Sequence, residues 1–251
     1  MIFEFTTNVI FSYSLIFARL GSALLFLPGL GETYVSARAR LALGLVLSLI
    51  FYPLLVDMLP QMPGEFLRVF TFLLREVTIG VFIGVFARII ISALHTAGMK
   101  ISYMNGLSAA MLFDTNQSSQ GSIVGVFLSI LAITLFFTSK LHYITFEAIY
   151  QSYTILPSTE PVNFGSLAKI TTELISDVFV ISFKIASPII VIGLFLYLAA
   201  GLIARLMPNM QVFFVLVPIQ IWISFFVLMS SISIIMLIFL NFYEEKLEIF
   251  V

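Results

Sequence analysis

The chain has 251 residues, of which 61% are hydrophobic and only 10% charged, with a mean hydropathy of +1.13. Soluble domains carry about 25% charged residues, so the composition excludes an ordinary soluble fold. It equally excludes disorder, which needs low hydrophobicity and high charge, and twelve Lys and Arg against thirteen Asp and Glu leave no basic surplus for nucleic acid. An integral membrane protein, or part of a very apolar assembly, remains.

Six apolar regions follow one another along the chain. The first is Val9 to Leu30, interrupted by Arg19. As a helix it would reach about 33 Å, enough for a hydrocarbon core of about 30 Å. The N-terminus before it has no Lys or Arg, so no secretory signal is expected there. The second region, Leu41 to Val56, would measure about 24 Å and is short for a span. The third, Val69 to Met99, contains Arg75, Glu76 and Arg88. The fourth, Ile123 to Thr138, follows a polar loop. The fifth runs from Val178 through Lys184 to Ala204. The sixth, Leu206 to Tyr243, has no charge and would exceed 55 Å as one helix, about twice a crossing. Pro208 and Pro218 predict its division into a short piece ending near Val217 and a full helix from about Ile219. Broken backbone at membrane depth needs protein or a water-filled cavity around it.

The polar features lie within and between these regions. A charge inside an apolar segment faces protein or water. Arg19, Arg75, Glu76, Arg88 and Lys184 mark either an ion or substrate path or contacts with other subunits. No cluster of carboxylates suggests a proton relay, which favours contacts. Lys169, Glu173 and Asp177 are spaced i, i+4, i+8, and Lys184 follows seven residues later, so all four share one helical stripe. Met99, Met104 and Met111 surround Asn105-Gly106-Leu107-Ser108, and Phe113-Asp114 leads into an uncharged polar run. Methionine is flexible and polarizable and can seal around irregular shapes. Residues 201–214 place Arg205, Met207, Pro208, Phe213 and Phe214 together between apolar helices, as in a re-entrant or broken helix.

No catalytic constellation is present. HExxH, GxSxG, GxGxxG and Walker A patterns are missing. His95 and His142 have no carboxylate or second histidine at ligand spacing, and there is no cysteine. Neither an enzyme, nor a metal, nor a cofactor is expected.

Three stretches together resemble the FliR family of flagellar biosynthetic proteins and its virulence-injectisome counterparts in type III secretion. Arg19 and Pro28 precede Ala37-Arg38-Ala39-Arg40-Leu41-Ala42-Leu43. Gly106-Leu107-Ser108-Ala109-Ala110 stands with Phe113-Asp114. Ala204-Arg205-Leu206-Met207-Pro208-Asn209-Met210 is followed by Val212-Phe213-Phe214 and Pro218. Their order and spacing cover nearly the whole chain, read as a single domain over residues 1–251. Thr115 follows Asp114 where many flagellar members have proline.

The resemblance implies an all-α membrane-associated fold of bent and broken helical hairpins, packed in a multi-subunit helical assembly. It implies a bacterial inner membrane location, multi-pass, within the flagellar basal body. FliP-like and FliQ-like subunits would complete an entry portal for unfolded exported proteins, with FlhB-like and FlhA-like export components and membrane lipid around it. The loop of Gly106, Leu107, Ser108, Phe113, Asp114, Ser118, Ser119, Gln120 and Gly121 would plug the pore, with Met99, Met104 and Met111 as a seal. Arg19, Arg38, Arg40, Lys169, Glu173, Asp177, Lys184 and Arg205 are expected to pair across subunit contacts. A stand-alone transporter is the alternative, but such proteins show inverted repeats, and only Ala-Arg-Leu at 18–20 and 204–206 recurs.

Overall fold

The computed structural model describes residues 2–106, 122–207 and 212–250, without the side chains of 2–5 and 212–215. Among the described residues the regular structure is helical, with no strand. The described residues form seven α-helices in order: α1 (Ile2–Leu24), α2 (Ala37–Leu55), α3 (Phe66–Met104), α4 (Ile123–Thr138), α5 (Leu141–Ile155), α6 (Phe164–Leu206) and α7 (Val212–Leu247). Among the described residues four helices are long and apolar enough to cross a membrane, or up to five if the bent pair α4–α5 makes one span.

Local chemistry sets the helix ends. The Ser36 hydroxyl accepts from the Ala39 amide at 3.2 Å and starts α2 four residues before the apolar run. The second region is therefore a longer helix than its apolar run suggested. Ser122 caps α4 by accepting from the Gly125 amide at 3.0 Å. Asn163 does the same for α6 through the Gly165 and Ser166 amides. That cap brings the 169–177 stripe into the same helix as Lys184. Between α4 and α5 the chain bends at Ser139–Lys140, where Lys140 has a φ of 62°.

The expected break at Pro218 is absent. Pro53, Pro188 and Pro218 all lie inside helices. In apolar helices neighbouring groups re-satisfy the backbone that proline frees. The end of α6 at Leu206 is the interruption between the last two regions. The sequence reading also missed α5, whose Tyr, Thr, Ser and His residues hide its helical period.

The chain forms two compact units. One contains Met1–Ile90, Phe137–Leu174 and Glu244–Val251; the other contains Ile91–Phe136 and Ile175–Tyr243. In the first, Ile16, Leu20, Ala23 and Leu24 of α1 pack with Ile79, Ile83 and Ala87 of α3 and Ile149 and Tyr153 of α5. Gly80 and Gly84 let α3 approach α1 closely. A Cβ at Gly80 would lie 2.1 Å from the Arg19 carbonyl oxygen, and one at Gly84 2.6 Å from that of Ala23. Small residues four apart permit such backbone contact. In the second unit, Gly98 of α3 meets Gly125 of α4 in the same way. Buried Val124, Leu128, Ala132 and Phe136 form one stripe along α4. Leu216, Gln220, Ser224 and Leu228 form the corresponding stripe on α7.

Candidate functional site

Within the second unit, the end of α3 and the start of α4 make the two stems of the 107–121 segment. Helix α3 closes at Met104, and its last carbonyls lack intrahelical partners. Gly106 follows with a φ of 71°, a left-handed conformation that suits glycine after a helix end. The Gln220 side-chain amide donates to the Met104 carbonyl. Val217 lies beside Gly106, and Gly193 of α6 faces Met104, whose Cβ is 3.5 Å from where a Gly193 Cβ would stand. The returning stem is Ser122. Its hydroxyl donates to the Gly98 carbonyl at 3.0 Å and lies 2.6 Å from the Ser102 hydroxyl. Both stems are thus held against the last turns of α3.

A cation sits one turn before this end. Lys100 Nζ donates to the Ser182 hydroxyl and lies 3.6 Å from the ring centroid of Phe183 and 5.3 Å from that of Phe179. The aromatic faces carry negative potential and attract the ammonium. The sequence reading did not single out Lys100; the available signal was a pair of phenylalanines at i, i+4.

The first unit holds a buried polar scaffold. Arg19 and Glu76 are both fully buried. Arg19 Nε and Nη2 donate to the Glu76 oxygens at 2.6 and 3.1 Å. Nη1 donates to the Ser152 hydroxyl and Nη2 to the Leu156 carbonyl, each at 3.0 Å. Ser158 donates to Glu76 at 2.5 Å, and the guanidinium carbon lies 3.8 Å over the Tyr153 ring. Arg75 Nη1 donates to the Ser158 carbonyl at 2.5 Å. The network ties α1 and α3 to α5 and its following turn. Arg19 therefore departs from its expected pairing across a subunit contact: its charge is met inside the chain, by a carboxylate 57 positions away.

The remaining singled-out residues divide as follows. Arg38, Arg205 and Lys184 are exposed, as is Arg88. Arg40 is half-buried and donates to the Val35 carbonyl at 3.2 Å. Lys169 and Glu173 stand 4.0 Å apart on exposed surface, and Asp177 is half-buried. Met99 and Met104 are half-buried on α3, and Met207 is exposed after α6. Leu107, Ser108, Met111, Phe113, Asp114, Ser118, Ser119, Gln120, Gly121 and Pro208 lie outside the described residues, and Phe213 and Phe214 are described in backbone only. Among the described residues no three of His, Asp and Glu converge as metal ligands would.

Large apolar side chains stand exposed on several helices. On α6 these include Phe195, Leu198 and Leu202; on α7, Trp222, Phe226 and Met229 at i, i+4, i+7. Apolar seams of this kind mark contact with lipid or with other chains.

Comparison with known proteins places this architecture. Residues 10–246 match the model of the bacterial export proteins, family 1. The flagellar biosynthetic protein FliR of Caulobacter vibrioides is 35% identical over 98% of both chains. FliR of Bacillus subtilis is 25% identical over 94% of this chain and 92% of its own. The Yop proteins translocation protein T of Yersinia pestis is 26% identical over 88% and 85%. The chain therefore belongs to the bacterial export proteins, family 1, which includes flagellar FliR proteins and their type III secretion counterparts.

Proposed function

We propose that this chain is a subunit of a flagellar type III protein export gate in the bacterial inner membrane. It assembles with FliP-like and FliQ-like subunits into the entry portal, beside FlhB-like and FlhA-like components, and unfolded exported proteins pass through. The observation that carries this reading is end-to-end similarity to a flagellar FliR, covering 98% of both chains. The exposed apolar seams on α6 and α7 support it, since a portal subunit needs such faces for its neighbours. The exposed cations Arg38, Lys184 and Arg205 are read as contacts to those neighbours.

The segment between Gly106 and Ser122 is read as the gate. Its stems are the end of α3 and the start of α4, and Ser122 of the second is hydrogen-bonded to Gly98 and Ser102 of the first. Met99, Met104 and Met111 supply deformable side chains around it.

Removing the chain from its own organism tests the export role. Secretion of flagellar proteins is expected to stop and to return with the wild-type chain; continued secretion would overturn the reading. Deleting residues 115–121, while keeping the α4 cap Ser122, tests the gate. The assembled portal is expected to leak small ions.

A further inference from the structure

We propose that the groove between α1 and α2 binds an anionic phospholipid, with an acyl chain along α1 and the phosphate on Arg40. The groove lies within the first unit. Phe17, Gly21 and Leu25 of α1, Leu41 of α2 and Val77 of α3 line a volume of about 480 Å³. Small-molecule pockets span about 300–1,000 Å³. From Phe17 to Leu25 the groove follows α1 for about 12 Å. Among its described lining residues two are polar, Arg40 and Ser22. The Ser22 hydroxyl is spent on its own helix, donating to the Ala18 and Arg19 carbonyls at 2.6 and 3.0 Å. An extended polypeptide would leave its amides and carbonyls unpaired against such walls. An acyl chain has none to satisfy.

Arg40 supplies the charge complementarity. Its Nη2 donates to the Val35 carbonyl at 3.2 Å, and its Nε is buried without a hydrogen-bond partner. Among the described residues no carboxylate pairs with this guanidinium, in contrast to Arg19, which Glu76 neutralises. A cation in apolar surroundings without a counter-ion is costly. A planar guanidinium fits a phosphate through two parallel hydrogen bonds. Its depth agrees with that partner. Ala37–Met58 is a candidate membrane span, and Arg40 stands in its first turn, at the level of lipid headgroups. Exposed Leu41, Leu45 and Leu49 continue an apolar face along α2 from there.

The test uses the chain purified from its own membranes in neutral detergent, with the subunits it brings along. Native mass spectrometry counts the lipids retained after equal additions of phosphatidylglycerol or phosphatidylcholine. Wild type should retain one more phosphatidylglycerol than phosphatidylcholine per copy of this chain. Arg40→Gln should lose that molecule at unchanged subunit composition. Ala37→Phe, which narrows the groove from an exposed position, should lose it with Arg40 intact. Arg38→Gln, exposed outside the groove, should keep it. Equal retention of both lipids by wild type, or full retention by Arg40→Gln or Ala37→Phe, would overturn the proposal. Displacement by inorganic phosphate alone would assign Arg40 to free anions, and loss of a subunit from Arg40→Gln would assign it to a partner chain's carboxylate. Either result overturns the lipid site. Failure of both Arg40→Gln and Ala37→Phe to give an intact protein would assign the groove to folding and overturn it as well.

Discussion

Arg19 of α1 grips Glu76 of α3 with two hydrogen bonds inside a region that excludes solvent. Breaking one partner of such a pair leaves the other charge buried and costs about 3–5 kcal/mol. Arg19→Met is therefore expected to lower the thermal midpoint of the detergent-solubilised chain sharply. Arg19→Met combined with Glu76→Leu should recover most of the loss, because a buried ion pair is often replaceable by apolar side chains. Thermal unfolding of the two variants compares them directly; equal losses would contradict the pairing.

The contact between Gly98 and Gly125 predicts a second sensitivity. A Cβ at Gly98 would stand 2.3 Å from the Gly125 Cα, with backbone on every near side. Gly98→Ala must part α3 from α4, at a cost of about 1–3 kcal/mol from overpacking. Gly201, with open space around its position, is the control. Limited proteolysis should show Gly98→Ala cleaved faster than wild type. Gly201→Ala should not be.

Lys100 offers a chemical test. Lys100→Met loses the Ser182 bond and both aromatic contacts. Lys100→Arg keeps a cation over the rings. An exposed cation–π contact contributes about 0.5–1 kcal/mol. The methionine variant is expected to show faster backbone amide exchange at the end of α3, with the arginine variant close to wild type.

The apolar seam of α7 separates assembly from folding. Trp222 is 73% exposed and Met229 80%. Exposed substitutions usually alter stability by less than about 0.5 kcal/mol. Trp222→Glu and Met229→Glu are expected to leave the isolated chain's thermal midpoint unchanged. A charge placed in a buried contact would nevertheless lower recovery of the assembled complex. Full recovery with both variants would show that this face meets something other than a subunit.

Much of the fold was legible because apolar runs bounded by polar turns have few alternatives. Ser36 and Asn163 then moved helix starts ahead of those runs through caps that apolar patterning does not register, whereas α4 has the bounds of its apolar run. Helix α5 was missed because its buried Thr145, Ser152 and Tyr153 dilute the apolar signal. Pro218 misled for a related reason: proline predicts a break where water competes for the freed backbone, less so in an apolar helix. At the site, the charges of Arg19 and Glu76 were visible. Their partnership was not, because only tertiary packing brings α1, α3 and α5 together. The Gln220–Met104 bond was hidden likewise, being a side chain meeting a carbonyl 116 positions away.

Membership of a multi-subunit export gate is the central claim, and affinity purification of the tagged chain from its own membranes tests it most directly. The account predicts FliP-like and FliQ-like chains in stable, fixed proportion with this chain, identified by mass spectrometry. A chain that purifies alone or only with copies of itself, stable and without those partners, would contradict it.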